Sequence, residues 1–334
     1  MHLFIDTNIF LSFYHLTSDD LEELRKLTVL LEEKKITLYL TEQVVFEFRR
    51  NREAKIADAL KGLKEQRLSL QFPQICKDYP EYPELRKLQK IYEECHATLL
   101  EKVSLDAAQA TLKADVIINE LFGKATRIET SSEFVDKAKL RLEVGNPPGK
   151  DGSLGDAISW ESLLERVPAG VELHFITDDR DYVSVLDENR FKEFLLQEWT
   201  ESGHGKIVFY RRLASFFKDH FPQIKLASEL EKELAIRALA TSGSFSETHS
   251  AIARLAKYTQ FTGAQVNDIV RAAVSNNQVS WIIEDEDIHK FLSGVIAGHE
   301  KDVDADNYAE LLRQLKIKVK ETTEARVDYD DVPF

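Results

Sequence analysis

The 334-residue sequence has only two cysteines, Cys76 and Cys95, too few for a disulfide framework and in no zinc-binding spacing. It has no apolar run near the roughly 18 residues a membrane span requires. The one N-terminal apolar run is interrupted by Asp6, which argues against a signal peptide. No set of serine, cysteine or histidine side chains reads as a nucleophile with its base. Residues 226–334 hold no helical repeat of fixed period. Positive charge is scarce: 44 Lys and Arg stand against 58 Asp and Glu, a net charge of −14 that argues against a general polyanion binder. These absences leave a cytoplasmic protein as the simplest expectation. An apolar share of 43%, spread along the chain, argues against disorder and allows one large or two medium domains.

What is present is a pattern of carboxylates at the ends of apolar segments. The run His2-Leu3-Phe4-Ile5 stops on Asp6, and Leu173-His174-Phe175-Ile176-Thr177 is followed by Asp178, Asp179 and Asp181. Glu47 lies within Val44-Val45-Phe46-Glu47-Phe48, and Asp156 follows Gly155 at a helix start. Brought together, Asp6, Glu47, Asp156 and Asp179 would suit a hard divalent cation, Mg2+ or Mn2+, which takes oxygen ligands and keeps several waters. Such a site hydrolyses phosphate esters without a side-chain nucleophile. Each acid also has a plainer reading. Asp6 could cap a turn, Glu47 could pair with Arg50, and Asp156 could favour a helix N-terminus. One of Asp178, Asp179 and Asp181 could form a turn, and Asp151 reads as an ordinary loop residue.

The first two hundred residues alternate strand and helix. Residues 2–6, 36–40, 171–176 and 206–210 read as strands, 19–34 as a helix, and Thr41 as the cap of a helix running to about Leu70. Strands separated by helices imply a mostly parallel sheet covered on both faces, with functional groups beyond the strands' carboxyl ends. The expected division is a domain over 1–222, with a charged helical insertion at about 72–144, and a mainly helical domain over 223–334. In the latter, Trp281 and the Val279–Ile283 run read as core in preference to interface, and Glu321–Asp331 as a loose tail. A strip of cations follows Glu47: Arg49, Arg50, Arg52 and Lys55, continuing to Lys61, Lys64 and Arg67. With Lys150 it is a candidate nucleic-acid contact, or else a solvated helix face.

Taken in order, Ile5-Asp6-Thr7-Asn8, Glu47 in the second helix, Gly155-Asp156 and Thr177-Asp178-Asp179-Arg180-Asp181-Tyr182 resemble a PIN-domain nuclease. The stretch Gly145-Asn146-Pro147-Pro148-Gly149-Lys150 is similar to that of a PIN-like subgroup with a long helical insertion. The resemblance covers roughly residues 1–215. It implies a flavodoxin-like three-layer α/β/α sandwich and a Mg2+- or Mn2+-dependent endonuclease, usually acting on RNA. It implies Asp6, Glu47, Asp156 and Asp179 as the acidic quartet, Asp181 as an outer metal ligand, and Asn8 and Thr177 as residues orienting the carboxylates. The insertion and the C-terminal helices depart from compact members of the family. They leave room for a regulatory protein or a second copy bound through the C-terminal domain, with no membrane partner.

Three rivals stand beside this reading. A haloacid-dehalogenase-like phosphatase would need an aspartate where Asn8 stands. A flap-type DNA nuclease would carry more carboxylates and a DNA-binding helical motif. A degenerate PIN-like interaction module would have lost one or more of the acids, and all four are present.

Overall fold

The structure is a computed structural model, which describes residues 1–15, 21–66, 68, 71–149 and 153–316. The chain divides into two compact units, Met1–Ala227 and Ser228–Phe334. The expected tail at Glu321–Asp331, together with Arg67, Lys150 and Asp151, lies outside the described residues.

The first unit runs β1 (His2–Ile5), α1 (Thr7–Ser12), α2 (Leu21–Glu32), β2 (Thr37–Thr41), α3 (Glu42–Glu65), α4 (Glu81–Gln109), α5 (Lys113–Lys124), β3 (Thr126–Ile128), α6 (Ser132–Glu143), α7 (Leu154–Arg166), β4 (Leu173–Ile176), α8 (Glu193–Glu201), β5 (Ile207–Tyr210) and α9 (Leu213–His220). The five strands form one sheet in the order β3-β2-β1-β4-β5, with every pair parallel. β1 and β4 are buried nearly throughout because helices cover both faces of the sheet, giving the expected α/β/α layers. Leu3, Phe4, Ile5, Leu173, Phe175 and Ile176 are wholly buried.

Local signals set the helix starts. Asp6 caps α1 by accepting from the Thr7 N–H, and Thr41 caps α3 by accepting from the Val44 N–H. α3 closes at Glu65, where Gln66 turns to extended backbone. Residues 113–143, within the stretch read as a helical insertion, contribute to the sheet and its cover. β3 is an edge strand, α5 packs on α2, and α6 packs on α7. β3 carries no apolar alternation to announce it, because Thr126 and Arg127 are exposed and only Ile128 is buried. α4, by contrast, buries no side chain.

The second unit is helical: α10 (Ala227–Thr241), α11 (Phe245–Leu255), α12 (Gly263–Ser275), α13 (Asn277–Trp281), α14 (Glu286–Ile296) and α15 (Ala305–Gln314). Leu239, Ile252, Leu255, Val266, Ile269, Ile288, Leu292 and Leu311 form its core. Val279 and Ile283 join that core, but Trp281 does not. It is 67% exposed and meets Phe245 edge to face. On one helical turn, positions four apart share a face while the residue between them points away, so a five-residue apolar run splits. Among the described residues, no helix is long and apolar enough to cross a membrane.

Candidate metal centre

β1 and β4 are neighbours at the middle of the sheet, with β2 and β3 on one side and β5 on the other. The strand order reverses between them, and the crevice beyond their carboxyl ends is where such sheets bind ligands. Asp6 ends β1 there and Thr177-Asp178-Asp179 ends β4. Asp6 is 6% exposed and accepts three hydrogen bonds of 2.7 Å, from the Thr7 N–H, Asn8 Nδ2 and Thr177 Oγ1. Asn8 Nδ2 also donates to Thr177 Oγ1 at 3.0 Å, and Thr177 Oγ1 accepts from the Asp179 N–H at 3.0 Å. Asn8 and Thr177 therefore tie the two strand ends together and hold the Asp6 carboxylate between them.

α7 delivers Asp156 in its first turn, where Ser153 Oγ donates to Asp156 Oδ2 at 2.5 Å. One carboxylate oxygen each from Asp6, Asp156 and Asp179 falls within 4.8 Å of the others. Glu47 reaches the same cavity from α3, held by Thr7 Oγ1 at 3.1 Å and Gln43 Nε2 at 2.9 Å. It is half-buried, not fully buried, since the neighbouring Phe46 is turned outward. Arg50 makes no ion pair with it among the described residues. Asp181 is set differently. Its carboxylate accepts from the Gly149 N–H at 3.0 Å and lines an adjacent cavity with Asn146 and Lys192.

Electrostatics follow from this crowding. Burial pushes Asp6 up to about 7; the Thr177 and Thr7 hydrogen bonds oppose the shift, and Asp156 and Asp179 add to it. Burial likewise pushes Asp156 up to about 6, opposed by Ser153 and reinforced by Glu47, Asp179 and Asp181. Tyr182, wholly buried, is pushed up by burial and then by the same acids, so its O–H stays neutral and reaches the Asp156 carbonyl at 3.3 Å. Among the described residues no lysine or arginine makes an ion pair with Asp6 or Asp156, although Arg50 and Lys55 line the same cavity. An all-oxygen donor set with two acids raised by their surroundings fits a hard divalent cation.

The cavity is about 670 Å³, with Arg50, Asn51, Lys55 and His15 on its α1–α3 wall. Of the expected cation strip, Arg50 and Lys55 therefore face the acids, while Arg49 is exposed and lies off the cavity. Arg52 does not join them. Its guanidinium grips the buried Asp115 through two 2.6 Å bonds and donates to the Ala107 carbonyl at 3.0 Å. Tyr14 also donates to Asp115. A partner 63 residues away on another helix left no trace in the local charge pattern. The structure adds Ser153, Gln43 and Thr7 as residues that position the acids. The Ser-x-x-Asp spelling at 153–156 and the four-residue spacing of Gln43 and Glu47 were the signals available.

A profile of the PIN domain matches residues 3–182, more than half of the chain. The protein belongs to the PIN domain family, whose members are generally nucleases. No curated protein and no solved structure matches it.

Proposed function

We propose that this chain is a Mg2+- or Mn2+-dependent endonuclease that hydrolyses phosphodiester bonds in RNA. The observation that supports the reading is the meeting of the Asp6, Asp156 and Asp179 oxygens within 4.8 Å. Asp6, Glu47, Asp156 and Asp179 would hold the metal, with Asp181 outside them; a bound divalent ion supplies Lewis-acid polarisation of a phosphoryl oxygen and a hydroxide near neutral pH. Asn8 and Thr177 keep Asp6 aimed into the cavity, Ser153 does the same for Asp156, and Gln43 for Glu47. Arg50 and Lys55 take the phosphates on either side of the scissile bond. RNA is preferred to DNA on the family likeness. The dehalogenase-like phosphatase reading loses ground because Asn8 is bound to Asp6 and Thr177 and has no acidic proton to give.

We assign the nuclease to residues 1–222 and a cytoplasmic location to the chain. The C-terminal helical part is read as a platform for a regulatory protein or a second copy, supported by the outward-facing Phe245 and Trp281. The test is to incubate the purified protein with total RNA and with single- and double-stranded DNA, with and without Mn2+. Internal cleavage of RNA that needs Mn2+ and disappears in Asp6→Asn is expected. Cleavage undiminished in Asp6→Asn, or by the metal-free protein, would overturn the reading.

A further inference from the structure

α4 leans on the rest of the first unit along one side only. Gln89 Nε2 donates to the Leu68 carbonyl at 3.2 Å, His96 Nε2 lies 2.9 Å from the Leu63 carbonyl, and the Ala107 carbonyl accepts from Arg52. Beside that line of contact the helix shows water an apolar stripe. Leu85, Leu88, Tyr92, Cys95 and Leu99 are all exposed, Leu88 at 59% and Leu99 at 49%, and Ile91 is exposed at the stripe's outer edge. Their spacing of three, four, three and four residues is the heptad period of a helix that pairs with another helix. An apolar stripe on a solvated helix carries a cost that is removed when a second surface covers it.

The stripe also carries a hole and two charged ends. Glu94, Cys95, Thr98, Leu99 and Lys102 surround a concavity of about 350 Å³. Four of them, Cys95, Thr98, Leu99 and Lys102, stand at i, i+3, i+4 and i+7, the corners of a hole that receives one side chain of a facing helix. Glu94, on the rim, pairs with Lys90 at 4.0 Å. Glu84 closes one end of the stripe and Lys102 the other, about 27 Å apart along the helix. Both are exposed, and neither makes an ion pair among the described residues.

We propose that this stripe is a dimerisation surface, on which α4 packs antiparallel against α4 of a second copy. A two-fold contact needs a surface that complements itself, because each contact occurs twice. With the helices antiparallel, Leu88 of each copy enters the hole beside Cys95 and Leu99 of the other, and Tyr92 lies opposite Cys95. Leu85 covers the aliphatic stem of Lys102. Glu84 then stands beside Lys102 at both ends, so the two unpaired charges of one copy answer those of the other. A parallel pair would set Glu84 against Glu84 and Lys102 against Lys102, which is repulsive. The proposal does not depend on the nuclease reading, and the contact is separate from Phe245 and Trp281.

Sedimentation equilibrium of the full chain from about 1 to 100 µM, the range of small reversible interfaces, reads the assembly. The parent should pass from 38.3 kDa toward twice that mass. Leu88→Glu/Leu99→Glu alters two exposed positions, so it should melt as the parent does and dimerise about tenfold more weakly or worse. Glu84→Lys should weaken the dimer, and Glu84→Lys/Lys102→Glu should restore it. Phe245→Ser/Trp281→Ser should leave it unchanged. Direction is read by mild oxidation in a Cys76→Ser/Cys95→Ser background. Leu88→Cys and Leu99→Cys together should link the copies, and either alone should not, because two copies of one position lie about 16 Å apart along an antiparallel pair, beyond disulfide reach. A parent that stays at 38.3 kDa throughout, a Leu88→Glu/Leu99→Glu variant as dimeric as the parent, or links formed by either cysteine alone would overturn the proposal.

Discussion

A Cβ built on Gly155 would fall 2.0 Å from Glu47 Oε1 and 2.5 Å from Gln43 Nε2. The first turn of α7 thus lies against the ends of the Glu47 and Gln43 side chains of α3, and this approach places Glu47 beside Asp156. Gly155→Ala should push the Glu47 carboxylate away from the cavity. Nuclease activity is expected to fall on the order of 10²-fold, the usual consequence of a displacement near 1 Å at a reacting centre. The stability cost should be small, because the atoms that must give way are the far ends of the flexible Glu47 and Gln43 side chains. Parent-level cleavage by Gly155→Ala would show that Glu47 has no part in the reaction.

Asp6 and Asp156 should make the metal-free protein less stable as the pH rises. Their folded-state values of about 7 and about 6 lie above the ordinary aspartate value of 3.8. Between about pH 4 and pH 7 the unfolded chain gives up these protons first, so the native state binds more protons and the unfolding free energy falls with pH. Below that window both states are protonated and nothing is lost. The decline due to Asp6 amounts to at most about 4 kcal/mol, three pK units at 1.36 kcal/mol each. Urea denaturation at pH 5 and pH 8 in EDTA measures it. Asp6→Asn should flatten the dependence and leave the protein at pH 8 as stable as the parent or more so, with cleavage abolished.

Divalent metal should reverse that instability. At a concentration 100 times its Kd, Mn2+ is expected to add about 2.7 kcal/mol through preferential binding to the native state. Asp156→Asn should lose most of the gain. A parent whose melting temperature does not respond to Mn2+ or Mg2+ would instead have to be a degenerate member of the family that binds without cutting.

Cations close together in sequence should behave in two different ways. Arg52→Ala leaves Asp115 buried without its partner and should cost about 3–5 kcal/mol of stability. Arg50→Glu and Lys55→Glu should leave stability near parent values and weaken nucleic-acid binding. The log–log salt dependence should flatten by about 0.7 for each phosphate of a single strand that the protein no longer neutralises. If Arg50→Glu/Lys55→Glu binds as the parent does, the substrate runs along a different wall.

The parallel sheet, the strand ends bearing Asp6 and Asp179, and the cap at Thr41 were legible in the sequence. Each depends on residues a few positions apart: an apolar run for a buried strand, a carboxylate or hydroxyl where a helix starts. The acidic cluster could be anticipated because three strand or helix ends each carried a carboxylate, Glu47 stood inside an apolar stretch of a helix, and a parallel sheet gathers its strand ends on one side. Which neighbours share a task was settled only by folding. Arg50 and Lys55 face the acids while Arg52, on the same helix, turns to Asp115. Asp181, two residues from Asp179, turns to Gly149, and Trp281 turns out of a core that Val279 and Ile283 enter. β3, too, exists as a strand only because β2 offers it an edge. Periodicity and capping are short-range and are written locally. The partner of a charged or polar side chain depends on which distant segment the packed core brings beside it.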